Sequence, residues 1–170
     1  MSEAVLETGR LVLRRFTGRD TAFVLRLLNE PSFIENIGDR GVRTLEQAER
    51  YLVEGPIASY QRHGHGLWMV ALKETQHPIG MCGLLKRDQL IDVDLGYAFL
   101  PEFWSRGYAR ESASAVLEWA RVRGMERIVA IVSPGNAPSI RLLEKLGFAF
   151  ERLTTLSPGA PEVALYALRV

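Results

Sequence analysis

The segment Trp104–Ala109 joins a strand pattern to a helix pattern, and this junction constrains the fold more than any other feature of the chain. Ahead of it, Ile91–Leu100 alternates between polar and apolar residues like a half-buried strand. After it, apolar residues recur along 109–120 at the spacing of one helix face. The first turn of a helix carries N–H groups without partners and the positive end of the helix dipole. Since Gly107 and Ala109 add little bulk there, the junction predicts a seat for a phosphate or pyrophosphate.

The composition is that of an ordinary globular protein. The 170 residues suffice for one domain, 1–170, and 47% apolar with 24% charged residues is typical of such domains. Because 21 basic and 20 acidic side chains nearly cancel, no general field would draw the chain to nucleic acid or to a membrane, and neither partner is expected. The single cysteine, Cys82, excludes a disulfide within the chain and is interpreted as a buried apolar residue.

The sequence shows no pattern that is typical of export or membrane insertion. Its first residues, from Met1 to Ala4, lack the basic and apolar stretches of a secretion signal. No apolar run approaches the ~20 residues that a membrane-spanning helix needs. We therefore expect a cytoplasmic location.

The periodicity of the whole chain predicts the order strand, two helices, three strands, helix, strand, helix and two strands. The predicted strands are 10–16, 67–72, 79–85, 91–100, 127–132, 148–155 and 162–169. Three consecutive strands favour an antiparallel meander, and the strand–helix–strand unit after them favours a parallel pair with a right-handed crossover. We expect an α/β fold with a mixed, mostly antiparallel sheet of about six to seven strands and helices on both faces. The junction would then lie at the carboxyl end of a central strand, where open α/β sheets bind ligands.

Capping residues mark where the predicted helices begin. The expected caps are Thr17 with Asp20, Thr44 with Gln47, and Asn136. The first helix should stop at Pro31, and the segment 32–43 is expected to be irregular. Pro56 is expected to kink or divide the helix that begins at Thr44.

A second motif, Asn136–Phe148, follows the junction in the chain. Together with Gly96–Pro101 and the loop Trp104–Ala109, it resembles the GNAT family of N-acetyltransferases, and within it the branch of ribosomal-protein N-terminal acetyltransferases. The resemblance extends from Arg10 to the last strand. It implies a single-domain GNAT-like fold, a splay between the fourth and fifth predicted strands, and acetyl-CoA as acetyl donor without a metal ion.

The resemblance also implies a set of residues that bind the donor. These cofactor-binding residues are Phe99, Leu100, Arg106, Gly107, Tyr108, Ala109 and Asn136. The amides from Arg106 to Ala109 would hold the pyrophosphate, and the backbone of Phe99 and Leu100 would pair with the pantetheine arm. The chain departs from the family loop at Trp104, where relatives carry Gln or Arg, and this puts side-chain contacts at that position in question.

The acetyl transfer that the resemblance implies also requires a proton donor for the leaving thiolate. Many relatives use a Tyr where this chain has Leu143 and Glu144. The ribosomal-protein branch resembles Asn-x-x-Ser instead, which matches Asn136 and Ser139, and Ser139 is therefore the candidate donor. The alternative is that Ser139 is simply a residue of a first helical turn, where Ser is common. An N–H near Leu100 is the candidate partner for the developing oxyanion.

The candidate bases are Asp92 and Asp94, which the strand pattern places on one face. Asp94 matches a position that often carries Glu in relatives. Both could instead line a solvent face, and this is the preferred interpretation for Asp92. Glu102 is expected to face solvent just after the strand. An α-amino acceptor has a reference pKa of ~7.7–8.0 against ~10.4 for Lys, so it needs little base assistance.

The remaining candidates are weaker. His63 and His65 have no spacing of a common metal site, and a glycine-rich helix end explains them better, although one could reach the acceptor pocket as a base. Trp68 is expected in the core. The resemblance places acceptor binding in the segment with Phe33, Asn36 and Ile37, where loop packing is the alternative.

These patterns predict an acetyl-CoA-dependent N-acetyltransferase that acts on a primary amine by direct attack. A protein N-terminal α-amino group is one expected acceptor. A small-molecule acceptor, such as an antibiotic, polyamine or amino acid, and a non-catalytic acyl-CoA-binding module remain the alternatives. A homodimer is compatible with the sequence.

Overall fold

A mixed eight-stranded sheet in the order β1-β2-β3-β4-β5-β6-β8-β7 runs through the centre of the protein. This computed structural model describes residues 3–170; Met1 and Ser2, where the predicted domain and the amino-terminal pattern begin, lie outside the described residues. The strands are β1 Ala4–Glu7, β2 Leu11–Arg14, β3 Leu67–Leu72, β4 Pro78–Leu85, β5 Val93–Phe99, β6 Arg127–Val132, β7 Ala149–Thr154 and β8 Val163–Arg169. The helices are α1 Thr21–Leu28, α2 Pro31–Asn36, α3 Leu45–Leu52, α4 Ala58–His63, α5 Tyr108–Val122 and α6 Ala137–Lys145.

The sheet confirms the predicted α/β topology. Every neighbouring pair of strands is antiparallel except β5 and β6, which are parallel and joined through α5. The strand count of six to seven was too low, because Ala4–Glu7 forms the additional strand β1 beside β2. The residues Ala-Val-Leu-Glu do not alternate between polar and apolar, so the sequence pattern gave no signal for this strand.

The predicted splay lies between β5 and β6. These two strands pair at only two positions, Val93 with Ile128 and Asp94 with Val129. Beyond them β5 continues along β4 as far as Phe99 without pairing with β6. The two central strands of the sheet therefore part at their carboxyl ends.

Helices cover both faces of the sheet, as predicted. Alternate residues of β3 belong to two different cores: Trp68 packs with residues of α5, whereas Met69 packs with residues of α1 and α3. Trp68 is a core residue, as expected, and Cys82 is fully buried, which raises the pKa of its thiol to about 12. That thiol is consequently protonated at neutral pH.

The capping residues hold as predicted, and one correction concerns the segment after α1. Thr17 and Asp20 form a capping box, Thr44 accepts from Gln47, and Asn136 accepts from the Ser139 N–H. The first helix ends before Pro31, but Pro31 itself begins α2 within the segment expected to be irregular. Proline is favoured at the first position of a helix, where its missing N–H costs no hydrogen bond.

Pro56 divides the second helical segment, as predicted. It lies in a π-helical turn, Val53–Ile57, which separates α3 from α4. A π turn accommodates the missing N–H of a proline without ending the helix, and such turns are frequent at functional sites. Here the turn faces a large cavity.

Candidate active site

A cavity of about 1220 Å³ opens where β5 and β6 part. On one side it is lined by residues of β5, the beginning of α5 and the beginning of α6. On the other side it is lined by α2, the π turn and α4. Pockets for a single drug-sized ligand are ~300–1,000 Å³, so this cavity has room for two reactants side by side.

The backbone of β5 presents unpaired groups to this cavity. Leu100 donates its N–H to the Ile79 carbonyl at 2.9 Å, which fixes the set of residues that bond to β4. In an antiparallel pair the residues alternate between hydrogen-bonded and non-hydrogen-bonded positions, so Leu95, Tyr97 and Phe99 direct their N–H and C=O groups away from β4. Leu95 still bonds to β6 through its N–H, since Asp94 pairs with Val129, and the Phe99 carbonyl accepts from Trp104. Beyond Leu95 the strands have parted, so the Tyr97 N–H and C=O and the Phe99 N–H face the opening.

This alternation corrects the predicted role of Leu100. Its N–H is bonded to Ile79, its carbonyl accepts the Phe103 N–H at 2.9 Å, and its side chain is buried. The residue does not line the cavity. The sequence singled out a strand that borders the cavity but named a residue whose backbone groups are already bonded, since periodicity alone does not tell which residues face the neighbouring strand.

The beginning of α5 lies at the rim of the opening. Gly107 caps the helix with φ +81°, a left-handed conformation that favours glycine, and Glu111 donates the first helical N–H to its carbonyl. The N–H groups of 107–110 therefore have no intrahelical partners. Arg10 fastens this turn, since its guanidinium donates to the Arg106 carbonyl at 3.0 Å and forms an ion pair with Glu111 at 2.7 Å.

Trp104 fills a structural role in the same loop. Its indole N–H donates to the Phe99 carbonyl at 2.9 Å and so ties the loop to the end of β5. This contact gives a reason for the departure from Gln or Arg at that position. Among the predicted donor-binding residues, Phe99, Gly107, Tyr108, Ala109 and Asn136 line the cavity, whereas Leu100 and Arg106 do not.

Ser139 lines the cavity and has a partner that the sequence did not suggest. The hydroxyl oxygens of Tyr97 and Ser139 are 2.6 Å apart. Burial raises the pKa of Tyr97 to about 12, against a lowering effect of the Ser139 hydrogen bond, so this phenol is protonated at neutral pH. Sequence analysis sought a tyrosine on α6, near Leu143, whereas the structure brings one from the middle of β5.

Asp94 lies deep in the cavity wall. Its side chain is 1% exposed, and both carboxylate oxygens accept from Arg87 Nε at 3.2 and 3.3 Å. Burial raises the pKa of Asp94, and the positive charges of Arg87 and Lys86 oppose this effect. Asp92 is elsewhere: it forms an ion pair with Arg127 at 3.0 Å and does not line the cavity, which fits its predicted solvent-facing position.

Of the other candidates from the sequence, some line the cavity and the rest are structural. Glu102 is exposed and pairs with Arg26 at 2.7 Å, as its predicted solvent-facing position requires. His63 lines the cavity, whereas His65 is buried, has its Nδ1 2.9 Å from the Leu84 carbonyl, and has a pKa lowered mainly by burial. His65 is therefore a packing residue.

The segment expected to bind the acceptor does line the cavity, through Phe33, Asn36 and Ile37. Ser133, just after β6, donates its hydroxyl to the Asn36 carbonyl at 2.9 Å, so this segment is tied to the open end of the splay. The sequence analysis missed several further lining residues on this side, among them four that come from four separate elements or loops. They are Arg40, Tyr51, Glu54 and Arg62.

Neither a metal site nor a membrane span is found in the part of the chain that the structure describes. Within residues 3–170, no group of three or more His, Cys, Asp or Glu side chains could hold a metal ion. None of the helices in this range is both long and apolar enough to cross a bilayer.

Comparisons with known proteins bear on the same stretch of chain. The family model described as "Acetyltransferase (GNAT) domain" matches residues 10–149. YoaA, an uncharacterised N-acetyltransferase of Bacillus subtilis (strain 168), is 31% identical over 149 residues, which cover 86% of this chain and 84% of that protein.

Solved structures share the fold. An acetyltransferase from Agrobacterium tumefaciens strain C58 superposes with a TM-score of 0.81 at 28% identity, over 99% of this chain and 95% of that chain. RimL, a ribosomal L7/L12 alpha-N-protein acetyltransferase in complex with coenzyme A, superposes with a TM-score of 0.86 at 16% identity, over 99% of this chain and 98% of that one. At this low identity the second likeness concerns the fold alone.

The Arg87–Asp94 pair predicts a pH-dependent loss of stability. The folded pKa of Asp94 is raised, so folding disfavours its ionised form, and stability falls as the pH rises from the unfolded pKa through the folded one. Arg87→Gln removes the opposing charge and enlarges this fall. We expect a loss of about 3 kcal/mol in the free energy of unfolding near pH 7, measured by urea denaturation.

The double variant Arg87→Gln/Asp94→Asn is the matched control and should recover most of the loss, because it leaves no buried charge unpaired. The deficit of Arg87→Gln should also shrink between about pH 7 and about pH 4, as Asp94 takes up a proton. A deficit that stays constant over this range would show that the ion pair is not its cause.

Proposed function

Because the chain belongs to the GNAT family of acetyltransferases, we propose that it transfers the acetyl group of acetyl-CoA directly to a primary amine, and that this amine is a protein N-terminal α-amino group. The observation that carries the proposal is the opening between β5 and β6, which joins the beginning of α5 to a second arm of the same cavity. One arm fits the donor and the other arm leaves room for an acceptor. The likeness to RimL, whose name specifies an alpha-N-protein acetyltransferase, supports an N-terminal acceptor.

The donor arm has the chemistry that a pyrophosphate and an extended amide-bearing chain require. The unpartnered N–H groups at the beginning of α5 fit the pyrophosphate. The backbone groups of Tyr97 and Phe99 that face the opening fit the amides of the pantetheine, as an additional strand would. When bound, acetyl-CoA supplies the activated acetyl group, and the chain supplies position and proton transfer.

Negative charge develops on the thioester oxygen as the amine attacks, and a backbone N–H of β5 stabilises it. With the Leu100 N–H committed to Ile79 and the Leu95 N–H to the pairing with β6, this task falls to the N–H groups of Tyr97 and Phe99, which face the opening. The new C–N bond replaces the C–S bond, and the departing sulfur takes a proton.

Ser139 passes its proton to the sulfur and takes up in exchange the proton that the attacking nitrogen loses as the amide forms, and Tyr97 positions Ser139. A Tyr97 hydroxyl that stays protonated and donates to the Ser139 oxygen leaves the serine proton free to point into the cavity. Ser139 thus takes the role of the tyrosine that many relatives carry where this chain has Leu143 and Glu144.

Asp94 receives the proton of the acceptor ammonium, directly or through water. It lines the cavity, and its raised pKa lies closer to neutral than that of an ordinary aspartate, which suits a general base. By strand alternation Asp94 and Tyr97 project to opposite faces of β5, so base and acid lie on different sides of the reacting atoms. An α-amino group, with its reference pKa of ~7.7–8.0, needs only this weak base.

The donor half of the proposal is tested at Gly107. In Gly107→Val, a side chain enters the anion seat, where a Cβ already lies 3.3 Å from Arg10 Nη2, and acetyl-CoA affinity should fall more than about 100-fold in isothermal titration. Gly124→Val is the matched control, since Gly124 also has φ +81° but lies beyond the other end of α5 with open space around it. Unchanged affinity in Gly107→Val would remove this loop from the donor site.

The acceptor half is tested by measuring thiol release from acetyl-CoA with a panel of N-terminal peptides, polyamines, free amino acids and aminoglycosides. We expect turnover on peptides, with the acetyl group on the α-amino nitrogen by mass spectrometry. Turnover confined to small amines would overturn the N-terminal assignment, and turnover on no amine would overturn the proposed transfer.

The proton-transfer roles predict graded losses in kcat. Ser139→Ala should lower kcat about 100-fold, the usual contribution of a general acid. Tyr97→Phe should lower it about 5- to 10-fold, since it loses one hydrogen bond to Ser139. The double variant should be no slower than Ser139→Ala, because Tyr97 acts through Ser139.

Three further measurements test this interpretation. Acetyl-CoA affinity should be unchanged in Ser139→Ala and Tyr97→Phe, and Tyr166→Phe, a buried tyrosine of β8, should keep full kcat. Asp94→Asn should lose about 100-fold in kcat/KM together with the acid limb of its pH profile. Additive losses in the Ser139/Tyr97 pair would refute the relay, and an Asp94→Asn variant that kept its acid limb would refute the base.

A further inference from the structure

The acceptor arm of the cavity carries an excess of positive charge. We use this name for the part of the cavity wall between Ser32 and His63, together with the segment that runs from Lys86 through Asp94. Its basic side chains are Arg40, Arg62, Lys86 and Arg87, and its acidic ones are Glu54 and Asp94. The whole chain is nearly neutral, so this excess is a local property of the arm.

The guanidinium groups of this arm have N–H donors without a partner among the described residues. Arg87 bonds Asp94 through Nε, and neither of its Nη atoms donates to another residue within 3–170. The side chains of Arg40 and Arg62 make no ion pair or hydrogen bond with any other described residue, in contrast to Arg43 nearby, which pairs with Asp39 at 2.6 Å. Asp94 is thus the one carboxylate of the arm already paired, and three arginines keep free N–H groups.

A half-buried phenol lies in the field of two of these arginines. Tyr51 lines the arm from α3, and the positive charges of Arg40 and Arg87 act on its hydroxyl. Burial is the stronger effect and raises the pKa of Tyr51, so the hydroxyl remains a donor at neutral pH. Among the described residues it has no hydrogen-bond partner, which leaves its proton for a ligand.

The donor does not account for these groups. Another set of basic residues, Arg110, Arg141 and Lys145, lines the cavity along α5 and α6 and suits the phosphates of the donor. The acceptor arm lies on the face of the sheet that α1, α2 and α3 cover, whereas α5 packs on the opposite face. The cavity therefore has two positively charged ends, and a single nucleotide-bearing donor occupies one of them.

We propose that the acceptor of this enzyme is an anionic amine, with carboxylate or phosphate groups close to its primary amino group, held by Arg40, Arg62 and Arg87 together with the Tyr51 hydroxyl. This inference rests on the amine transfer proposed above and specifies its substrate class. Arginine binds carboxylate and phosphate oxygens through two parallel hydrogen bonds, and such bonds are strong in a cavity that excludes most water. The same field repels polyamines and aminoglycosides.

The inference is tested with acceptors that differ only in charge. Peptides that begin with serine and continue with aspartates, alanines or lysines present the same amino group, and free O-phosphoserine and serine amide form a small-molecule pair. We expect kcat/KM to be at least about 10-fold higher for the acidic than for the neutral member of a pair, the worth of one charged hydrogen bond, and lowest for the lysine peptide. The preference should shrink in high salt. The pair with the larger preference identifies a peptide or a small molecule as the source of the anion.

Variants locate the preference in the arm. Arg40→Gln and Arg62→Gln should each lower the acidic-to-neutral ratio of kcat/KM about 10-fold. Arg50→Gln is the matched control: Arg50 is an exposed arginine of α3 that pairs with Glu46 and does not line the cavity, so the ratio should stay at the wild-type value. A ratio that is unchanged in the cavity variants would overturn the assignment of these residues.

The outcomes separate this inference from the proposed transfer. Equal kcat/KM for acidic and neutral acceptors, or a preference for the lysine peptide, overturns the anionic acceptor while the transfer stands. If no acceptor is turned over, the transfer fails, and the inference is judged by isothermal titration of the aspartate and alanine peptides into protein saturated with coenzyme A. Tighter binding of the aspartate peptide supports it, and equal binding or no binding overturns it.

Discussion

The parting of β5 from β6 is the constraint on which the rest of this structure depends. After two paired positions the strands separate, and the Tyr97 N–H and C=O and the Phe99 N–H of β5 are left without a neighbouring strand. Backbone groups in such a place need a partner, because an unpaired buried N–H or C=O costs as much as a lost hydrogen bond. This is why the proposed donor, an extended ligand with amide groups of its own, is assigned to the opening.

The surroundings of the opening distribute its chemistry over the two faces of the sheet. The beginning of α5 offers N–H groups on one side, and the Tyr97–Ser139 hydroxyl pair lies against α6. On the side of α1 to α3 lie the buried Asp94 and the arginines of the acceptor arm. A single strand, β5, thus aligns two reactants, because its side chains alternate between the faces while its backbone borders both.

Much of this arrangement could be predicted from local pattern. The loop at Gly107, the caps at Thr17, Thr44 and Asn136, and the division at Pro56 all depend on residues close in the chain, and all were confirmed. The errors arose where the local pattern carries no information. β1 has no alternation of polar and apolar residues, and Leu100 was chosen as a backbone partner although strand alternation turns the backbone groups of Phe99 and Tyr97, not those of Leu100, away from β4.

The sequence by itself determined most of the order of elements and the glycine turn from which α5 begins, since these depend on hydrophobic period, capping residues and glycine positions within a few residues of one another. The splay between β5 and β6 was predicted by the resemblance to the GNAT family, not by periodicity. The tertiary structure alone decided which side chains meet. Tyr97 and Ser139 are 42 positions apart, and Arg40, Tyr51, Arg62 and Arg87 come from separate segments. A charge or a hydroxyl carries no periodicity that reveals its partner, so only the folding of these segments around β5 turned scattered polar residues into a site.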